Sequence, residues 1–447
     1  MNLYPCKAYL LVLVSWLLTS LSHAEELPAL YVSDSPAMPA LIEPGSADEI
    51  AYGFLSQQIA SGEADDAAYV LENTLNQIEA SRHRYHEDLI VPLTLLGDAR
   101  MAQQDLESAL DLYTRARHVA RVSHGLFDVK QLAVVYREAD ALIAAGDIKM
   151  AAQREEYAYE VMRKAYPNYD SATLPGLMRL GDFYLNTFNY LSARAMYTAA
   201  MNVHSSNQTD FSVEAIPALR GIAISHRLER FPPIYIANPD SSAFDNPTPG
   251  LRSPEFDRQQ MVFNNFPAGE KALQQIIEIR KRQEPEDVGE TLNAIIELAD
   301  WHLLFGRSNM ANTLYSEVYK QMLASGVDAA SFFAKPMLVY LPQPDNPQPP
   351  PADRRAEPAD GLVTLSFDVA PTGRIRKLVT LESKPEKLMD FRVRRSMRLA
   401  IFRPQLIDGL PVVAEAQTYT HEFRYFPKID PTAAVVNPAA QSPTEES

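Results

Sequence analysis

The chain has 447 residues, 46% of them hydrophobic, with a formal net charge of −16 and a single cysteine. That length allows two or three domains with sizeable cores. The acidic balance argues against nucleic-acid binding by the chain as a whole. One cysteine, Cys6, excludes an intrachain disulfide and a thiolate metal cage.

The first 24 residues read as a cleavable secretory signal. Lys7 supplies the positive region, Tyr9 to Leu21 an apolar run of 13 residues, and Ser22-His23-Ala24 small residues for cleavage. A membrane span needs about 20 apolar residues, so an uncleaved anchor helix is the lesser alternative. Cleavage would leave 423 residues with no later transmembrane helix, and the expected location is the periplasm. Residues 25–47, with Pro28, Pro36, Pro39 and Pro44, are expected to form an extended leader.

From Asp48 the pattern becomes helical and repeats. Segments around Gly62, Gln104, Gly146 and Phe188 align with a step of 42 residues. In that register one column reads Ala67, Ala109, Ala151, Ala193. A second reads Leu55, Gly97, Ala139, Gly181, and a third Thr74, Ala116, Ala158, Ala200. Small residues that recur in this way allow two helices to approach closely, and a period of this length signals stacked hairpins. The segments 95–116, 179–200 and 297–318 resemble tetratricopeptide repeats, with Tyr113, Tyr197 and Tyr315 at signature packing positions. The period departs from the usual 34 residues, and HEAT-like pairs are the alternative at this length. The array is expected over 48–326, as about six units. It is broken by an insertion at 231–266, whose Pro232, Pro233, Pro239, Pro247, Pro249 and Pro254 cannot lie inside helices. Residues 327–360 are expected to be a Pro-rich linker, semi-rigid from Pro342 to Pro358.

After this linker the period changes to that of strands. Val363, Leu365, Phe367 and Val369 alternate with polar residues. Pro371-Thr372-Gly373 supplies a turn, and Arg374 to Glu382 continues as a second strand. Pro385 to Ala400 reads as a helix with Met389, Val393, Met397 and Ala400 on one face, and Val412 to Phe426 as a long last strand. Residues 361–428 carry 12 Lys and Arg against 7 Asp and Glu, a basic unit in an acidic chain. Residues 429–447 are expected to be a disordered tail. The pieces 361–375, Asp390, 402–404, 408–412 and 421–426 resemble, in order, the TonB C-terminal domain. The fold class expected is therefore multidomain: an all-α tetratricopeptide-like solenoid followed by a small α+β (β-β-α-β) unit.

The resemblance implies a periplasmic module that pairs by strand addition with a segment of a TonB-dependent outer-membrane receptor. An open edge strand offers the unpaired N–H and C=O groups this requires. If the last strand is that edge, Gln417, Tyr419, His421, Phe423 and Tyr425 on one face are the expected selectivity residues. The alternative is that the aromatic ones pack on the helix.

Catalytic patterns are missing: there is no Gly-rich phosphate loop, no G-x-S-x-G and no H-E-x-x-H. His83 and His86 lack a third ligand in sequence, so neither a metal nor another cofactor is expected. The basic face of Lys387, Arg392, Arg394, Arg395 and Arg398 reads as solvated, with an anionic contact as the alternative. The expected function is that of a non-enzymatic adaptor binding protein partners in the cell envelope. The alternative is an accessory energy transducer for TonB-dependent uptake.

Overall fold

The computed structural model describes residues 40–42, 44–233, 265–283, 285, 287–347 and 357–427. The expected signal peptide, the tail and most of the insertion 231–266 lie outside the described residues. Contacts divide the described chain into two compact units, 40–230 with 265–294, and 231–233 with 295–427.

The first unit is built of helix hairpins in sequence order: α1 (Ala47–Ala60) with α2 (Ala64–Ser81), α3 (Ile90–Ala102) with α4 (Leu106–His124), and α5 (Leu132–Ala144) with α6 (Ile148–Ala165). They are followed by α7 (Leu174–Asn186) with α8 (Tyr190–Ser206), and α9 (Ile216–Arg230) with α10 (Phe266–Arg282). Each helix packs on its sequence neighbours. The starts of α3, α5, α7 and α9 fall 42 residues apart. The long period arises from second helices of 17 to 19 residues against first helices of 13 to 15, and from a 3-10 turn between hairpins.

The column Gly62, Gln104, Gly146, Phe188 closes the first four hairpins in the left-handed region, with φ of +93, +63, +79 and +61°. Asp105, Asp147 and Asn189 follow as N-caps, each accepting a backbone N–H three residues on. These caps satisfy donors that a helix start leaves open.

The small-residue columns are buried where the helices touch. Ala67, Ala109, Ala151 and Ala193 have no exposed surface. A Cβ on Gly97 would sit 2.5 Å from the Tyr113 ring, and one on Gly181 2.7 Å from Tyr197. The same tyrosines reach past the glycine and donate to the next residue. Tyr113 Oη lies 2.7 Å from Asp98 Oδ1, and Tyr197 Oη 2.7 Å from Asp182 Oδ1. An arginine from the following first helix completes the arrangement. Arg137 Nε lies 3.0 Å from both oxygens of Asp98, and Arg179 Nη2 2.7 Å from Asp140 Oδ1. In that third hairpin the tyrosine position holds Glu155, which Arg179 also binds at 2.7 Å. Burial raises the carboxyl pKa of Asp98 and of Glu155 above the usual range, while the arginines pull the other way.

The helix α11 (Val288–Leu304) crosses the division between the units. In the second unit α12 (Ser308–Ala324) follows, with Tyr315 Oη 2.5 Å from Asp300 Oδ1, and then a short helix α13 (Ala329–Phe332). The strands are β1 (Met337–Tyr340), β2 (Ala359–Val369), β3 (Ile375–Lys384), β4 (Ile401–Arg403), β5 (Leu406–Ile407), β6 (Leu410–Pro411) and β7 (Ala414–Tyr425). An antiparallel sheet runs in the order β3-β2-β7, with α14 (Asp390–Arg398) between β3 and β4 in the chain. Val363, Leu365, Phe367 and Val369 meet Met389, Val393 and Met397 in its core. The expected β-β-α-β order is present, with three further short pieces around β4–β6 and the added β1.

Here the structure corrects the expected linker 327–360. Residues 337–340 form β1, paired with β4. The chain beyond is held on α14, where Ser396 Oγ donates to the Pro342 carbonyl and Arg392 Nη1 to the carbonyls of Asp345 (3.0 Å) and Asn346 (2.7 Å). A proline-rich run has few N–H groups and many free carbonyls, so donors on a neighbouring helix capture it. Arg392 is therefore a structural tie, and Arg394 binds Thr380 Oγ1 at 3.3 Å, so the basic face is not simply solvated.

The strand-rich part also packs on α11 and α12. Ser316 Oγ donates to Gly409 O (2.6 Å), Asn312 Nδ2 to Pro371 O (3.0 Å), and Arg403 grips Asp300 through Nη2 at 2.7 Å and Nε at 3.1 Å. Arg403 thus takes on Asp300 the place that Arg137 takes on Asp98 and Arg179 on Asp140. Burial works against the Arg403 charge, but Asp300 outweighs it and the pKa rises.

Two outcomes follow from this packing. Gly97→Ala or Gly181→Ala should cost about 1–3 kcal/mol by overpacking against the tyrosine ring, read from urea denaturation. Arg403→Met alone should cost about 3–5 kcal/mol by leaving Asp300 unpaired, while Arg403→Met with Asp300→Leu should recover most of that loss.

Candidate functional site

The last strand is the element that the sequence marks for binding, and its pairing decides what it can offer. β7 pairs with β2 through Ala359↔Tyr425, Val363↔His421 and Phe367↔Gln417. In the sheet β3-β2-β7 it is an edge strand of 12 residues, with no neighbour on its other side among the described residues. Backbone N–H and C=O groups on such an edge are free to receive an extended chain.

The five expected selectivity residues lie on one face of β7, and that face is turned to the core. Phe423 is buried, with Tyr419 and Tyr425 packed beside it. Gly361 on β2 makes room, since a Cβ there would come within 2.5 Å of the Phe423 ring. His421 stacks on Phe423 at 6.1 Å between ring centres, and its Nε2 has no hydrogen-bond partner among the described residues. Burial lowers the His421 pKa and raises that of Tyr419. Gln417 is half-buried. The alternation that pairs β7 with β2 puts these side chains under α14, so a partner on this edge meets backbone first. The exposed side chains of β7 are Glu415, Ala416, Thr418, Glu422 and Arg424, and Val379 and Leu381 on β3 are 53% and 60% exposed.

Other expected candidates are placed as follows. His83 and His86 lie 5.4 Å apart between ring centres, and the Nδ1 of each accepts a nearby backbone N–H. Among the described residues no group of three His, Cys, Asp or Glu is arranged to hold a metal ion. Tyr113, Tyr197 and Tyr315 are fully buried core residues. No helix among the described residues is long and apolar enough to cross a membrane.

Sequence reasoning missed one feature of the repeats. At the connection from each of the first four second helices to the next hairpin stands an aromatic residue: Tyr85, Phe127, Tyr169 and Phe211, each 42 residues after the last. The same register that gave the alanine columns contains this one. It passes unnoticed because it falls between the helices.

No family model matches the sequence, and no curated protein matches it. Among solved structures, the chain is similar to a kinesin light chain with nearly identical TPR-like repeats from Podosopora anserina, at 13% identity and a TM-score of 0.36 over 40% of this chain and 85% of that one. It is also similar to BtubC (BKLC) from P. vanneervenii, at 15% identity and a TM-score of 0.39 over 61% of this chain and 92% of that one. These likenesses are partial, and the architecture rests on the helix pairing itself.

The buried imidazole of His421 should make the edge strand sensitive to pH. A folded pKa below the ordinary histidine value means that the unfolded chain takes up the proton first. The stability His421 contributes is present above that value and is lost as pH falls through it. Between pH about 7 and about 5, the melting temperature should fall more for the wild type than for His421→Val. An NMR titration midpoint for His421 at or above the ordinary value would contradict this.

Proposed function

We propose that this protein is a non-enzymatic, exported adaptor of the cell envelope, in which helical repeats hold one protein partner and the strand-rich unit takes an extended segment of another onto β7. The observation that carries this reading is the open edge of β7 beside a filled core. A 12-residue strand has its inner side chains committed to packing and its outer backbone uncommitted. Strand addition is the binding mode such an edge suits, because main-chain hydrogen bonds supply affinity without side chains that must rearrange. The resemblance of residues 361–428 to the TonB C-terminal domain points the same way and makes a TonB-dependent outer-membrane receptor the first partner to test. The apolar run before Ala24 supports a periplasmic location.

The docking of the strand-rich part on α11 and α12 favours an adaptor over a force-transmitting arm. Arg403, Ser316 and Asn312 hold it to that hairpin, so the edge is presented at a fixed place rather than on a long tether.

The test is hydrogen–deuterium exchange on the full chain with an array of extended peptides drawn from outer-membrane proteins. Peptides that bind should slow exchange along β7 and leave β3 unchanged. If none binds, or if protection falls only on the helices, the strand-adding reading fails. Mass spectrometry of the exported protein should find a first residue of Glu25, and a retained residue 1 would remove the periplasmic, soluble form.

A further inference from the structure

The helix α1 shows a face that the next four first helices cover. In the 42-residue register Ile50 stands where Pro92, Val134, Gly176 and Ala218 stand, and all four of those are buried. Val134 shares a core cluster with Val119 and Ala120 of α4, and a Cβ on Gly176 would strike Met162 of α6. This position therefore faces the second helix of the hairpin before. Phe54 stands where Leu96, Glu138 and Leu180 are buried. Among the described residues no hairpin precedes α1, and Ile50 and Phe54 are 88% and 68% exposed. A repeat buries its apolar face only against a neighbour, and short connections make such neighbours antiparallel. So α1 presents a place shaped for one antiparallel helix.

The charge of the first hairpin decides what can fill that place. Residues 47–81 contain Asp48, Glu49, Glu63, Asp65, Asp66, Glu72 and Glu79, and no Lys, Arg or His. Glu72 and Glu79 are ion-paired with Arg100 and Arg115 of the second hairpin. The other five have no cation within ion-pair distance among the described residues. A basic occupant is complementary to this hairpin. Residues 25–46 also lack Lys, Arg and His and include Glu25, Glu26, Asp34 and Glu43, so the leader is a poor cover. A second α1 would bring like charges together.

The complementary surface is on α14. Phe391, Arg395, Arg398 and Leu399 recur at i, i+4, i+7 and i+8, on the side of the helix opposite Val393 and Met397, which fill the core. All four are exposed, Phe391 at 70%. They are what remains of the basic face once Arg392 and Arg394 are committed to their neighbours. An exposed ring flanked by arginines matches an exposed Ile-Phe pair flanked by carboxylates.

We propose that α14 of one copy docks antiparallel on α1 of a second copy, in the place that a preceding second helix would take. An antiparallel crossing sets Arg395 and Arg398, in the last turn of α14, beside Asp48 and Glu49, in the first turn of α1, with Phe391 toward Phe54. It also opposes the two helix dipoles. The contact joins two different faces, so a dimer keeps one of each and further copies add in a row. Two short helices bury less than the about 1,200 Å² of a standard interface, so the association is weak and rises with concentration. The inference goes beyond the reading of β7 and does not depend on it.

Sedimentation velocity of the full chain from about 1 to about 300 µM tests this. The average mass should rise above that of the monomer with concentration and fall back as salt is raised. Ile50→Ser with Phe54→Ser and, separately, Arg395→Glu with Arg398→Glu should each weaken association at least about tenfold. These side chains are exposed, and an unchanged circular dichroism melt confirms that each variant is folded. The two variants mixed should form a dimer and stop there, because one supplies α14 and the other α1. A wild type that stays monomeric overturns the proposal, whether residues 25–39 or a different protein covers α1. Association that persists in either variant overturns it too and marks another surface, such as the edge of β7. So does a mixture of the two variants that stays monomeric.

Discussion

The structure depends on a half-buried carboxylate at the same place in three of the first helices. Asp98, Asp182 and Asp300 each accept a phenol from the second helix of their own hairpin, and Asp98 and Asp300 also accept a guanidinium from the next element along. The phenol fixes the pairing within a hairpin, and the arginine fixes the pairing between neighbours. Buried ion pairs contribute little net stability, because desolvation offsets most of the attraction. Their effect is on geometry. A shift of one residue along either helix would leave a carboxylate in an apolar interior without a donor, at a cost of several kcal/mol. Glycine or alanine just before the aspartate lets the ring approach, so the small-residue column and the charge column are two sides of one requirement.

Arg403 extends the same rule to a different kind of structure. It comes from a three-residue strand and finds Asp300 as Arg137 finds Asp98. The last hairpin would otherwise present a buried-type aspartate and an apolar face to water. Terminal repeats need covering because each repeat buries its face only against a neighbour. Here the cover is a β-rich unit that also carries an open edge. Stability and presentation are joined in one contact: the interaction that seals the hairpin also sets where β7 stands relative to α11 and α12 in that unit.

Two edges of different chemistry result. β7 offers main chain, with its rings turned inward, and suits a partner that contributes a strand whatever its side chains. The connections between hairpins offer the exposed rings of Phe127, Tyr169 and Phe211, and Ser123 and Asn207 tie the backbone at Tyr85 and Tyr169.

Much of this was legible in the sequence. The 42-residue step aligned the segments around Gly62, Gln104, Gly146 and Phe188 through the small-residue columns beside them, but that Gln104 and Phe188 share the left-handed region of the two glycines shows only in the folded chain. The alanine columns and the alternation in 362–369 likewise follow from local periodicity, which is what a sequence carries directly. Tertiary structure decided the rest. That Tyr419, Phe423 and Tyr425 turn inward depends on which face of the sheet α14 covers, and alternation alone cannot choose a face. That 337–347 is a strand and a tied segment rather than a spacer depends on β4, Ser396 and Arg392, more than 45 residues away in the chain. Arg403 looks like any surface arginine until Asp300, 103 residues earlier, is placed beside it. Contacts between distant residues leave no period in the sequence, so only the folded chain reveals them.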